Sequence, residues 1–207
     1  MFRGNIWRIR SLTFEVCLLL STSFLAAQDK FPKSWETDST LRSIFFVDYD
    51  FGWAVGDKGT ILRTDDGGRT WNSISSPRDV IWNQVFFKDE KVGWIAGGHY
   101  RGPMQRSIGV LIKTEDGGKS WKNISQNGLS FIRKLQFADA QLGWLFCDAN
   151  PLYPSGLLTT SDGGNTWRAA TGKNNHVLKR VAFSNSGNWL GITTRHQLLE
   201  SKKQTTL

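Results

Sequence analysis

Three aspartates, Asp66, Asp116 and Asp162, are the first candidates for chemistry, because each lies in a copy of the same short pattern, Thr-x-Asp-x-Gly-x-Ser/Thr-Trp. Carboxylates could act as a hydrolytic pair or bind calcium, but a glycosidase pair needs about 5–10 Å between its groups. The three copies occupy the same position in successive repeats, so we expect them to lie far apart. Asp and Gly also favour tight turns, and the pattern therefore predicts a structural role. The glycine and tryptophan of each copy are Gly68 and Trp71, Gly118 and Trp121, and Gly164 and Trp167.

The remaining reactive residue types do not form a recognisable catalytic or metal-binding pattern in the sequence. The histidines and cysteines are His99, His176, His196, Cys17 and Cys147. Their spacing fits neither a metal triad nor a Cys/His pair, and no phosphate loop or Gly-x-Ser-x-Gly is present. The sequence therefore predicts a protein that is not an enzyme and has no cofactor and no metal.

Basic residues near predicted loops are the strongest binding signal, and the formal net charge is +8. Loops on a rigid scaffold are common binding sites, and positive charge attracts anionic partners. A surface that binds a protein partner is predicted at Arg101, Arg106, His99, Tyr100, Arg133 and Arg180. The alternative is a set of scattered, solvated cations. No nucleic-acid recognition motif appears, so nucleic acid is not expected, whereas peripheral contact with an anionic membrane is compatible with the charge.

Short apolar runs separated by turn residues must position these side chains. In the first repeat they cover 43–47, 52–55, 60–64 and 70–74, which is the pattern of four antiparallel strands. The closing tryptophans of successive repeats are separated by 50 and 46 residues. A period of roughly 40–50 residues with four strands per repeat predicts an all-β fold of β-propeller blades. A solenoid of β-arches is the alternative. The closing tryptophan of each repeat is expected to bury its ring against the neighbouring repeat.

About three full blades and a partial fourth are predicted. They cover roughly 43–75, 82–125, 131–170 and the residues from Leu178 onward, where Asn188-Trp189 takes the place of the earlier Gly-Trp pairs. A strand at 34–37 resembles the fourth strand of a blade and could complete a four-bladed ring. The preferred interpretation is an open arc, whose uncovered blade edges would permit self-association.

The N-terminal residues have the features of an export signal. Arg3, Arg8 and Arg10 precede an apolar run at 16–20, and small residues follow at 24–28. The predicted division is a signal peptide or N-terminal anchor at 1–27, a linker and closing strand at 28–42, propeller repeats at 43–201 and a tail at 202–207. Removing 1–27, with its three Arg and one Glu, leaves a charge of +6. An exported location follows, in the periplasm, the thylakoid lumen or outside the cell.

The repeat pattern resembles two known groups of propellers. The aspartate pattern is similar to the Asp-box of bacterial neuraminidase repeats. A Phe-x-Asp about seven residues before each Gly-Trp pair, at Trp53, Trp94 and Trp144, further resembles the photosystem II stability and assembly factor family. That resemblance implies a seven-bladed, non-enzymatic scaffold. It also implies that an arginine-rich surface binds newly made reaction-centre polypeptides and pigment–protein intermediates.

Two alternative functions remain at this stage. A secreted glycan-binding or sialidase-like propeller would share the Asp-box, but the sequence has no Arg-Ile-Pro motif and only three tyrosines, Tyr49, Tyr100 and Tyr153. The Asp-box thus indicates the fold and not sialidase chemistry. The other alternative is an inactive, truncated paralogue.

Overall fold

A computed structural model describes residues 37–100, 107–170, 177–184 and 188–201, and these contain fifteen β-strands and no helix. Blade one consists of β1 (Leu41–Phe46), β2 (Gly52–Gly56), β3 (Ile61–Thr64) and β4 (Asn72–Ile74). Blade two consists of β5 (Ile81–Phe87), β6 (Gly93–His99), β7 (Ile108–Thr114) and β8 (Lys122–Asn123). Blade three consists of β9 (Ile132–Phe137), β10 (Gly143–Cys147), β11 (Leu157–Thr160) and β12 (Arg168–Ala169). Blade four consists of β13 (Leu178–Phe183), β14 (Trp189–Thr193) and β15 (Leu198–Glu200). Within the described residues, no helix is long and apolar enough to cross a bilayer.

Each sheet is an antiparallel meander in which the strands follow one another in sequence order. The first strand of one blade lies against the first strand of the next, with β1 on β5 and β5 on β9. The described sheets form an open arc and not a closed ring, which confirms the predicted β-propeller blades. Residues 34–36 of the predicted closing strand lie outside the described residues.

Aromatic stacks join the blades. Trp53 of blade one lies face to face with Phe87 of blade two, with ring centroids 3.5 Å apart. Trp94 of blade two stacks in the same way on Phe137 of blade three, at 3.7 Å. The Phe also needs a glycine beneath it, because a Cβ at Gly93 would lie 2.5 Å from the Phe87 ring. This repeated contact between blades therefore explains the constant spacing of Phe and Gly-Trp in the sequence.

Two of the Asp-box tryptophans lie at the blade boundaries, as predicted: Trp167 belongs to the buried cluster shared by blades two and three, and Trp121 packs against the cluster shared by blades one and two. The rings of all three Asp-box tryptophans also pack edge-on against the Phe that ends the first strand of their own blade, here called the closing Phe, whereas the rings of the Gly-Trp pairs stack face to face across the boundary. The edge-on pairs are Trp71 with Phe46, Trp121 with Phe87 and Trp167 with Phe137, with centroids 6.0, 6.0 and 6.1 Å apart. Each closing Phe in blades two and three thus contacts one tryptophan from either side of the blade boundary.

The first two strands of blade four pair in the same register as those of blade one, but the predicted position of Trp189 is one residue off. Trp189 pairs with Phe183 as Gly52 pairs with Phe46, so Trp189 occupies the glycine position and Leu190 occupies the position of Trp53. Trp189 then packs, half-buried, against the apolar cluster shared by blades three and four. The expectation that Asn188-Trp189 replaces the Gly-Trp pair is wrong by one residue, because strand pairing and not the tryptophan itself fixes the register.

Candidate functional site

The three Asp-boxes are closed hydrogen-bond networks within their own turns. In the first box the Thr64 hydroxyl donates to Asp66 Oδ1 at 2.8 Å and accepts the Gly68 N–H at 2.9 Å. The Thr70 N–H donates to Asp66 Oδ1 at 2.9 Å, and its hydroxyl donates to Oδ2 at 2.7 Å. Asp116 and Asp162 have the same set of contacts in their own turns.

These contacts lower the pKa of each carboxyl group to about 2. The hydroxyl and N–H of Thr70 lower the pKa of Asp66, and those of Ser120 lower the pKa of Asp116. Burial opposes the change at Asp162, but hydrogen bonds from Thr166 and Thr160 outweigh it. A carboxylate held this firmly in its charged form is unsuited to general acid catalysis at neutral pH. The glycines of these turns, such as Gly67 and Gly68, have φ values of 73° and 85°, which side chains rarely adopt.

The opposite end of the blades has a second repeated feature, a β-bulge near the start of every first strand. Pairing shifts register between Leu41 and Ser43 in β1 and between Leu178 and Arg180 in β13, and it shifts at the equivalent places in β5 and β9. A bulge leaves one residue unpaired and re-aims its side chain. The bulged residues, each four positions before the closing Phe, are Arg42, Asn83, Arg133 and Lys179.

In blades one and three the bulged arginine is paired with an aspartate that follows the second strand. Arg42 binds Asp57 side-on through Nε and Nη2, the second contact being 3.2 Å. Arg133 binds Asp148 in the same way, at 2.7 and 3.0 Å. The hydrogen bond with Asp57 raises the pKa of Arg42, and the nearby positive charge of Arg133 acts in the opposite direction. The effect of Arg133 on the pKa of Arg42 is smaller than that of Asp57, and both arginines lie at the bulge end of the blades.

Two aromatic rings fix the position of Arg133. Tyr100, which follows β6, stacks on Phe131 of blade three with centroids 5.0 Å apart and an angle of 10° between the ring planes. The Arg133 guanidinium carbon lies 4.7 Å from the Phe131 centroid, and Arg133 Nη2 donates to the Tyr100 hydroxyl. Such cation–π contacts and ion pairs limit the rotamers of an arginine that would otherwise be mobile. Arg133 is thus held in place by contacts within the chain.

The predicted partner-binding residues divide between two clefts. Arg133 and Arg180 line a cleft of about 720 Å³ that extends from β9 to β15. His99 lines a separate cleft of about 450 Å³, on blades two and three. Tyr100 contacts Arg133, as described above. Arg101 and Arg106 lie outside the described residues.

Arg42, Asp57 and Asp148 are not among the residues predicted from the sequence. Binding cations were expected on loops, whereas Arg42 lies within β1. Counting four residues back from the closing Phe46 would have found it, and the same count from Phe137 gives Arg133. The antiparallel meander then places these bulges at the same end of the blade as the β2–β3 connection, where the Gly59 N–H donates to the Val80 carbonyl.

The family model and the curated relatives that match this chain concern one family of proteins. A family model described as Photosynthesis system II assembly factor YCF48 matches residues 27–199. Photosystem II assembly protein Ycf48 of Thermosynechococcus vestitus is 30% identical over 90 residues, which are 40% of this chain and 25% of that protein. Photosystem II assembly lipoprotein Ycf48 of Synechocystis is 57% identical over 37 residues, which are 17% of this chain and 11% of that protein. The chain thus matches a quarter or less of each of these two curated relatives.

Solved structures show the same fold at lower identity. The structure of "YCF48 bound to D1 peptide" superposes with a TM-score of 0.63 at 23% identity, covering 84% of this chain and 55% of that one. The GH74 enzyme of Niastella koreensis superposes with a TM-score of 0.56 at 14% identity, covering 77% of this chain and 30% of that one. Identities this low establish the fold alone, and the arrangement of blades is common to binding proteins and enzymes.

Proposed function

Because the chain belongs to the family of Photosynthesis system II assembly factor YCF48, we propose that it is an exported, non-catalytic scaffold that binds a photosystem II reaction-centre polypeptide. The observation that carries this proposal is the cluster formed by Arg42, Arg133 and Tyr100 at one end of the blades. A related propeller has been solved with a D1 peptide, which supports a polypeptide as the partner. The N-terminal sequence and a relative described as a lipoprotein support export.

The geometry of the arginine cluster suits recognition of carboxylates or backbone carbonyls. Arg42 and Arg133 each use Nε and Nη2 for their aspartates, and Nη1 of each has no partner among the described residues. A guanidinium held in this way can add a further charge-assisted hydrogen bond without losing much side-chain entropy. The paired aspartates keep the cluster from being a purely repulsive group of cations. We extend the proposed surface to Arg180, His99, Arg101 and Arg106, on the same predicted face.

Binding to a synthetic D1 peptide tests the proposal. Fluorescence anisotropy with the purified chain should show binding that Arg133→Glu weakens about tenfold or more, since the substitution places a negative charge beside Asp148 and Tyr100. Lys91→Glu is the matched control, because Lys91 is exposed at the Asp-box end and makes the same change in net charge. Equal affinities of the Arg133→Glu and Lys91→Glu variants would contradict the proposed surface.

Non-catalytic action is tested separately. The Asp-box carboxylates are held in their turns by hydrogen bonds, and among the described residues no group of three His, Cys, Asp or Glu side chains could hold a metal ion. We expect no turnover of a fluorogenic sialoside. Measurable hydrolysis that disappears in an Asp-box variant without loss of folding would instead support the sialidase-like alternative.

A further inference from the structure

Blade four has a cation at its bulge but no aspartate to pair with it. Thr194 stands where Asp57 and Asp148 stand in blades one and three. The equivalence rests on backbone contacts: the Thr194 N–H donates to the Val177 carbonyl as the Asp57 N–H donates to Thr40 and the Asp148 N–H to Phe131. Lys179 is therefore the counterpart of Arg42 and Arg133 without their carboxylate.

Neighbouring residues do not supply the missing negative charge. Residues 171–207 contain six basic residues and a single acid, Glu200. Glu200 lines another cleft, beside Phe183 and Trp189. Among the described residues, Lys134, Lys179 and Arg180 form no ion pair, although all three line the 720 Å³ cleft. Asp148 also lines this cleft, but its carboxylate is bound to Arg133.

Apolar side chains lie next to these cations on the same cleft. Leu190, Ile192 and Leu198 have 46%, 39% and 67% of their surface exposed, which is high for residues of this type. Leu190 and Ile192 occupy the positions of Trp53 and Val55, which are fully buried in blade one. Three cations beside exposed leucine and isoleucine side chains present a surface that is both positive and apolar.

We propose that this cleft binds an acidic residue within an otherwise apolar peptide segment of the partner. The carboxylate of the ligand takes the place beside Lys179 that an aspartate of the chain fills in blades one and three, and its flanking side chains cover Leu190, Ile192 and Leu198. Charge complementarity selects this occupant, because a neutral apolar segment would leave Lys134, Lys179 and Arg180 uncompensated and partly desolvated. The inference rests on the proposed function only in that the partner is a protein.

The test supplies the missing carboxylate from within the chain. The probe is fluorescein-labelled Leu-Ala-Asp-Ala-Leu with a C-terminal amide, compared with the same peptide carrying Asn in place of Asp. The unmodified chain should bind the Asp peptide about fivefold more tightly than the Asn peptide, which is the range of a partly exposed ion pair. Thr194→Asp should remove this preference, because the new aspartate pairs with Lys179. Thr194→Asn, which adds no charge, should retain the preference. Lys179→Gln should also remove it.

Controls separate a local effect from a change in overall charge or folding. Ser73→Asp makes the same charge change at an exposed position on β4 of blade one, so it should keep the preference for the Asp peptide. Backbone amide shifts in a ¹H–¹⁵N spectrum should change at Lys179, Ile192 and Thr194, and the melting temperature of Thr194→Asp should not fall. Loss of the preference in Ser73→Asp, or no preference in the unmodified chain, would overturn the proposal.

The outcome is independent of D1 peptide binding at the arginine cluster. Discrimination between the two pentapeptides without binding of a D1 peptide would support this cleft and contradict the proposed function. Binding of a D1 peptide that Arg133→Glu weakens, with no discrimination between the pentapeptides, would support the proposed function and overturn the inference about blade four.

Discussion

Removing the Trp94 side chain should test whether aromatic stacks hold the blades together. Trp94 is fully buried, stacks on Phe137 at 3.7 Å and donates from Nε1 to the Gly163 carbonyl at 3.0 Å. Replacing a buried tryptophan by alanine costs about 3–5 kcal/mol, through lost burial and the cavity that remains. Trp94→Phe keeps a ring on Phe137 but loses the hydrogen bond, which contributes about 1 kcal/mol, and it leaves part of the indole volume empty. Trp94→Ala should therefore lower the free energy of unfolding by about 4 kcal/mol and Trp94→Phe by about 2 kcal/mol.

Urea unfolding followed by far-UV circular dichroism measures the difference, with Trp121→Ala as the matched control. Trp121 is only half-buried and packs edge-on within its own blade, so its loss should cost about 2 kcal/mol. Hydrogen exchange should also show that Trp94→Ala exposes amides of blades two and three first, because neighbouring repeats are coupled through their interfaces. A larger loss for Trp121→Ala than for Trp94→Ala would refute the assignment of the Gly-Trp rings to the blade boundary.

Three further predictions concern turns, packing and the arginine cluster. The Asp-box carboxyl groups have a pKa of about 2 in the folded protein, against an ordinary 3.8. The stability that they add is therefore complete above pH 4 and is lost as the pH falls to 2. Asp116→Asn should make the melting temperature depend less on pH in this range. Gly93→Ala should lower the free energy of unfolding by about 2 kcal/mol in a urea titration, because the new Cβ would meet the Phe87 ring at 2.5 Å, and a change below about 0.5 kcal/mol would contradict that packing. Asp148→Asn should leave Arg133 without its carboxylate and increase the salt dependence of D1 peptide binding, as anisotropy between 50 and 300 mM NaCl would show; an unchanged salt dependence would count against a role for Arg133.

The fold could be predicted because the repeat carries its own evidence several times over. Strand lengths, Asp-Gly-Gly turns and Gly-Trp pairs recur at similar spacing, so an error in one copy is corrected by the others. Blade four shows where this fails. The tryptophan of blade four predicts that residue 189 takes the position of Trp53, but the hydrogen-bond register places Leu190 there. A tryptophan in the sequence can identify a repeat. Which face of the sheet each side chain lies on is decided by the hydrogen-bond register between strands, and the sequence does not show that register directly.

The candidate site was less predictable because its main residues lie at bulges and not on loops. A bulge changes where one side chain points without any change in composition, so Arg42 and Lys179 look like ordinary strand residues in the sequence. The aspartates that pair with the two arginines are separated from them by 15 positions. Such contacts become visible only after the blades are aligned on their closing Phe.

The two ends of the blades differ in how much their residues vary from blade to blade. At the Asp-box end, all three complete boxes use the same contacts, and their turns stabilise the sheets. At the bulge end the bulged residue and the residue near the end of the second strand or directly after it differ from blade to blade: Arg42 and Asp57, Asn83 and Gly98, Arg133 and Asp148, and Lys179 and Thr194. Asn83 has no charge, and its side-chain amide instead donates to the Arg133 carbonyl at 2.8 Å. Variation at this end changes charge without touching the Trp–Phe stacks that join the blades. In blade four of the described chain Thr194 stands at the position of the paired aspartates, so a ligand carboxylate would gain its most favourable electrostatic interaction beside Lys179.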